Sequence, residues 1–305
     1  MRMGKIKKKA ISIGGHDRMK HKSGMDRARW LESVIKDFVN HSPDNTLKNK
    51  AHDPAWAEPL VGFSNGADPL YDFLKKDIGP FYWTPAELFR LTFPDLQFSP
   101  GELAVISWIL PQTKKTKTEN RKETVFPAES WVRARVYGEE FNIALARHVV
   151  HTLEDSGYKA VAPSLSPHWS GKDSKCYGFA SSWSERHTAH ISGLGTFGIC
   201  DGLITPKGKA IRCGSVVTAI DIPPTPRQYK GHHDFCLFYT KGKCGLCIKR
   251  CPAGAVTEAG HDKIKCLKFL AEVSTLSASR FGFGGYGCGL CQTGVPCESG
   301  IPADE

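Results

Sequence analysis

Eight cysteines in the last 70 residues have the type and spacing of iron–sulfur ligands: Cys236, Cys244, Cys247, Cys251, Cys266, Cys288, Cys291 and Cys297. The run Cys244-x2-Cys247-x3-Cys251-Pro252 reproduces the last three cysteines of the bacterial ferredoxin run C-x2-C-x2-C-x3-C-P, whose final cysteine serves the other cluster of a pair. Soft thiolates also select zinc, but zinc sites usually pair two CxxC units across a longer gap. The tight spacing and the Cys-Pro step favour iron–sulfur, and eight thiolates suit two 4Fe-4S clusters. Interleaving assigns Cys236, Cys244, Cys247 and Cys297 to one cluster, and Cys251, Cys266, Cys288 and Cys291 to the other. Two irregularities stand out. Lys241 occupies the place of the strict motif's first cysteine, with Cys236 five residues earlier, and no proline follows Cys297. Cys176, Cys200 and Cys213 are left over and read as small hydrophobes.

Proton chemistry has fewer candidates. Tyr137 sits among Arg133 and Arg135, where a phenol beside cations is a candidate proton donor, and Tyr177 is a second. His187 and His190 read as hydrogen-bonded helix histidines. Gly193-Leu194-Gly195-Thr196-Phe197-Gly198 fits G-x-G-x-x-G, but a dinucleotide site needs a strand before it and a helix after it. A capped helix precedes this one, so the glycines read as a close turn.

These residues need elements to position them. Residues 26–40 carry apolar positions at helical spacing, and residues 41–66 read as loop. A short helix is expected at 70–76, a buried strand at 102–110 and a polar loop at 112–123. A long helix is expected from near Glu139 to Ser156, then a strand at 158–162. Ser182-x-x-Glu185 reads as a capping box opening a helix to Ser192. A strand pair is expected at 203–204 and 211–220, followed by a Pro-rich linker at 223–226. Strand, long helix and strand in sequence suggest an α/β layer. The expected division is a basic leader with its helix at 1–66, an α/β domain at 67–226 and a ferredoxin-like domain at 227–305.

The 305 residues carry a net charge of +10, and residues 1–50 hold 13 Lys/Arg against 5 Asp/Glu. Such a segment reads as a solvated leader, with RNA or an acidic partner as the functional alternative. Eleven cysteines are an odd number. With no secretory signal and no apolar run long enough for a membrane span, the expectation is a cytoplasmic, reducing setting rather than disulfides.

Residues 184–218 resemble the corrinoid-dependent iron–sulfur reductases that include epoxyqueuosine reductase and the reductive dehalogenases. The resemblance rests on Glu185, Gly193, Leu194, Gly195, Gly198, Leu203, Ile204, Thr205, Gly208 and Arg212, on the cysteine order with Cys266 alone between two groups, and on residues 102–167. It implies a nitroreductase-like cobalamin-binding α/β domain followed by the two-cluster domain, with base-off cobalamin reduced through the clusters. It also implies corrinoid contacts from Gly193, Leu194, Gly195, Thr196, Gly198, Leu203, Ile204, Thr205 and Arg212. The family's epoxyqueuosine enzymes carry a proton-donating Asp before the glutamate, where this chain has Gly178 to Trp183 with no carboxylate. They also carry a C-terminal extension that this chain lacks after Cys297, and the dehalogenases' twin-arginine leader is missing. The main expectation is therefore a reductase of a small organic substrate, fed by a ferredoxin or flavodoxin. The alternatives are a ferredoxin-like electron carrier without its own substrate, and an epoxyqueuosine reductase-like tRNA-modifying enzyme, which the basic leader favours.

Overall fold

The computed structural model describes residues 22–303, so the first 21 residues of the basic leader lie outside the described residues. Ser23 caps the first helix, its side chain accepting from Asp26 N, and this α1 (Gly24–His41) presents Leu31, Ile35 and Val39 as one apolar stripe. A four-stranded sheet follows, ordered β1–β2–β8–β3. Its members are β1 (Leu60–Asn65), β2 (Ala104–Pro111), β3 (Ala160–Val161) and β8 (Ile211–Thr218). Every residue of β2 is buried, as its unbroken apolar run requires of a strand covered on both faces.

Helices supply that cover. On one face α1 and the long α5 (Glu129–Asp155) close a core of Leu31, Ile35, Trp108, Phe141, Leu145 and Val216. On the other, α2 (Pro69–Ile78) and α3 (Pro85–Thr92) close a second core of Tyr71, Tyr82, Phe89, Val105, Trp183 and Val217. The α/β layering is as the sequence implies. β8 lies between β2 and β3 and pairs antiparallel with both.

Several elements differ from expectation. β1 lies inside the segment read as loop, because its partner β2 supplies the apolar context that its own short sequence lacks. Residues 112–123 hold a helix, α4 (Lys114–Lys122), capped by Thr113 and burying the polar Thr116 and Asn120. A helix whose buried side is polar leaves no apolar period to read. α5 begins at Glu129 rather than near Glu139, with Trp131, Val132 and Ala134 on its buried stripe and Arg133 bonded back to Glu129.

Two small hairpins follow: β4 (Gly171–Ser174) with β5 (Gly178–Ser181), and, after α6 (Glu185–Ile191), β6 (Thr196–Phe197) with β7 (Leu203–Ile204). α6 is capped by Ser184, which accepts from His187 N, while Ser182 accepts from Ser170 N instead. β7 pairs with β6 and not with β8, because the intervening turn carries the chain onto the cysteine-rich module.

That module contains α7 (Leu237–Lys241), α8 (Leu246–Lys249), a hairpin of β9 (Val256–Thr257) and β10 (Gly260–His261), and α9 (Lys263–Phe281). Its small core includes Ile199, Cys200 and Ile204 from the β6–β7 region beside Cys236, Cys247, Val256 and Val295. Arg250 fastens it to α4 by donating to Asn120 O and Glu123 O, and Arg121 pairs with Glu298.

Candidate iron–sulfur and reduction site

Cys236, Cys244, Cys247 and Cys297 line one cavity, together with Ile199, Ile204, Lys209 and Phe235. Cys236 precedes α7 as its cap residue, Cys247 lies in α8, and Cys244 takes a left-handed backbone at φ 87°. Cys297 is held through its carbonyl, which accepts from Lys209 N at 2.8 Å. The turn before Lys209 needs Gly208, at φ +85°, where a Cβ would lie 2.1 Å from the Glu298 carbonyl oxygen. A main-chain hydrogen bond from this turn thus holds Cys297.

In the second group, Cys251 Sγ accepts from Ala255 N at 3.2 Å and Cys266 lies in the first turn of α9. Burial pushes the Cys288 thiol up to about 12, with Cys266 and Cys251 adding to the shift. Among the described residues no three His, Cys, Asp or Glu side chains close around a point as they would on a single ion. A cubane binds each thiolate at a different iron. Its four ligands therefore do not converge on one point as they would on a single ion.

A buried cation faces the same cavity. Lys209 is 2% exposed and its Nζ donates to Cys200 Sγ at 3.2 Å. Its acceptor is Cys200 Sγ, and Cys247 and Cys297 line the same cavity. A buried ammonium needs anionic company, and here that company is sulfur. Cys200 packs in one small core with Cys247 of one group and Cys291 of the other, neighbours that hold its thiol well below the ordinary value. Cys213, by contrast, is an ordinary buried thiol pushed up to about 12 by burial, and Cys176 is exposed.

A second polar cluster lies where α5, α6 and β8 meet. Glu185, at the start of α6, accepts from Ser215 Oγ at 2.6 Å, and Ser215 accepts from Trp183 Nε1 at 3.1 Å. Glu185 Oε1 is buried without a partner. Burial is the main cause that lifts this carboxyl to about 7, with Glu139 adding to the rise. Arg212 on β8 pairs with Glu139, and Arg135 reaches both Glu139 and Tyr286 of the cysteine-rich module. Arg212 and Glu139 keep about a third of their side chains accessible (32% and 30%). The arrangement can hold a proton on Glu185 beside a fixed cation at neutral pH.

The two tyrosines sit apart. Tyr137 packs its ring against Phe283, with Lys48 Nζ 4.8 Å from the ring centre. Tyr177 is half exposed on the β4–β5 turn and donates to Asp77 at 2.8 Å, a bond that raises its phenol to about 12. Of the nine expected corrinoid contacts, Gly193 and Arg212 keep accessible surface and the rest are buried. Gly195 packs so closely on the Ile204 carbonyl that a Cβ would lie 2.2 Å from its oxygen. Thr196 Oγ1 accepts from Phe235 N, and Thr205 Oγ1 donates to Gly208 O. The G-x-G-x-x-G segment is a packing junction that leads into a hairpin, as its preceding helix implied. His187 and His190 are held neutral by burial, the former down to about 3. His190 Nδ1 donates to Gly195 O at 2.8 Å. Lys209 and the role of Cys200 escaped the sequence reading, since a lysine becomes informative only once its burial is known.

No family model matches the chain. Among curated proteins it is 30% identical over 128 residues to an epoxyqueuosine reductase of Staphylococcus aureus, a match covering 40% of this chain and 31% of the relative. An epoxyqueuosine reductase of Francisella cf. novicida is 30% identical over 125 residues, covering 39% and 33%. The matches span about a third of these relatives' length. Among solved structures, an epoxyqueuosine reductase with an epoxyqueuosine-modified tRNA-Tyr stem loop superposes at TM-score 0.50 and 16% identity. It covers 92% of this chain and 68% of that one, and supports the mixed α/β fold.

Proposed function

We propose that this chain, which resembles the epoxyqueuosine reductase and reductive dehalogenase-like superfamily, is an iron–sulfur reductase acting on a modified nucleoside in tRNA. The observation that carries the reading is the cavity lined by Cys236, Cys244, Cys247 and Cys297 with the buried Lys209 facing it. The curated relatives' name and the tRNA stem loop in the solved epoxyqueuosine reductase support a tRNA substrate over the small organic one that the lack of a carboxylate at 178–183 favoured, and they move nucleic acid to the front of the partners.

In this reading one cluster is held by Cys236, Cys244, Cys247 and Cys297 and the other by Cys251, Cys266, Cys288 and Cys291, each passing single electrons. Reducing an epoxide breaks a C–O bond: electrons enter the carbon–oxygen framework and the departing oxygen takes up protons. Glu185 holds such a proton. Its carboxyl titrates near neutrality and its Oε1 is not committed to another group. Ser215 holds its orientation, and Trp183 in turn holds Ser215. A corrinoid, implied by the sequence resemblance, supplies two-electron chemistry when bound. Arg212 and Arg135 are the residues of this chain that would hold it, guanidiniums suited to the phosphate of its nucleotide tail, while the buried glycine segment keeps the junction rigid.

The test is anaerobic protein assayed for iron, sulfide and cobalt after growth with cobalamin, then incubated with reductant and an epoxyqueuosine-containing tRNA stem loop. Bound iron with loss of the epoxide supports the reading. Iron with reversible reduction but no change in the RNA points to the electron-carrier alternative, and absence of iron removes the cluster assignment.

A further inference from the structure

We propose that Lys209 is a redox-positioning residue shared by the two clusters, setting their reduction potentials by its fixed charge. The inference rests on the cluster reading above and deepens it.

Lys209 is fully enclosed, and its Nζ sits 3.2 Å from Cys200 Sγ. Cys200 packs in one small core with Cys247, assigned to one cluster, and Cys291, assigned to the other. Lys209 therefore stands at the contact between the two cysteine groups, lining the cavity of the first and bonded to the cysteine that packs with members of both. Its place is set by rigid parts. Its own N–H binds Cys297 O at 2.8 Å, and the preceding turn is closed by Thr205 N and Gly208 N, each bonded to the other residue's carbonyl. These bonds fix the backbone of residue 209, and packing encloses the side chain.

Each electron taken up adds one negative charge to a cluster. A buried cation beside its thiolates stabilises the reduced state more than the oxidised one, most strongly where water is excluded. Potentials of both clusters are thus raised relative to the same cysteines without the lysine. Cys200 anchors the ammonium between them, which gives this leftover cysteine a role that its spacing does not announce.

The test compares wild-type protein with Lys209→Met and Lys209→Arg by iron and sulfide content and by EPR-monitored redox titration. With iron content equal to wild type, Lys209→Met shifts both midpoint potentials to more negative values, and Lys209→Arg returns them towards the wild-type values. Unchanged potentials in a fully loaded Lys209→Met protein overturn the proposal. So does loss of iron in both variants, which makes Lys209 a structural post. Wild-type protein without iron defeats the cluster reading itself, a result distinct from either. Cys200→Ala with full iron content places Cys200 outside the ligand set and supports its anchoring role, whereas iron loss in that variant makes it a ligand and overturns that role.

Discussion

A carboxyl that titrates near 7 inside a protein leaves a signature in both activity and stability. Glu185 is protonated below that value, so reduction that draws its proton declines as pH rises through about 7. Glu185→Gln is expected to lower turnover at least about tenfold and to flatten that limb of the pH profile, with cluster absorbance unchanged. Its folded value lies above the ordinary 4.5. The stability linked to it is therefore complete below about 4.5 and is lost as pH rises through about 7. Glu185→Gln should then exceed wild type in stability at pH 8 by on the order of 1–3 kcal/mol, with the gap closing at low pH, as urea titrations at the two pH values would read. Cys247→Ser is expected to lose one cluster's iron and keep the other's, since its group is separate from that of Cys251; loss of all iron would contradict the division. The cysteines were legible because their chemistry is written in spacing. Glu185 was legible only as a matched letter, because its unpartnered oxygen and burial arise from α6 meeting β8.

Elements with an apolar rhythm were legible: α1, α2 and β2 lie where their patterns put them. α4 was not, since its buried side holds Thr116 and Asn120. Asn120 explains the choice. Its amide donates to Thr293 Oγ1 at 3.1 Å, and its carbonyl oxygen accepts from Ala128 N at 3.0 Å. The helix is thus a polar bracket between the entry to α5 and the cysteine-rich module. Asn120→Ala leaves the buried Ala128 N–H unpaired and is expected to cost about 1–3 kcal/mol, measurable by chemical denaturation of the cluster-loaded protein. Gly208→Ala should be worse tolerated, because it combines a left-handed backbone with a collision against the Glu298 carbonyl. The expected outcome is a protein that retains the α/β far-UV signal but loads less iron; a variant with normal iron would show that the turn can relax.

At the scale of the whole chain, the mixed α/β fold was legible from the order of strand, long helix and strand. The shared core was not, because it joins residues 199–204 to sulfurs far along the sequence. The net charge of +10 gives the proposed RNA partner a physical signature. Binding of a tRNA stem loop should weaken at least about tenfold between roughly 50 and 200 mM salt, and filter binding that is indifferent to salt would argue against a phosphate-tracking surface. The main-chain bond from Lys209 to Cys297 carries one more consequence, in the order of synthesis. Each proposed ligand set draws on residues before 270 and after 287, so a nascent chain interrupted between them can complete neither ring. Loading of iron then becomes a reporter of completed synthesis: a polypeptide that falls short of Cys297 leaves the Lys209 amide without its carbonyl. The quality-control machinery would meet it as an open junction rather than as a nearly finished enzyme.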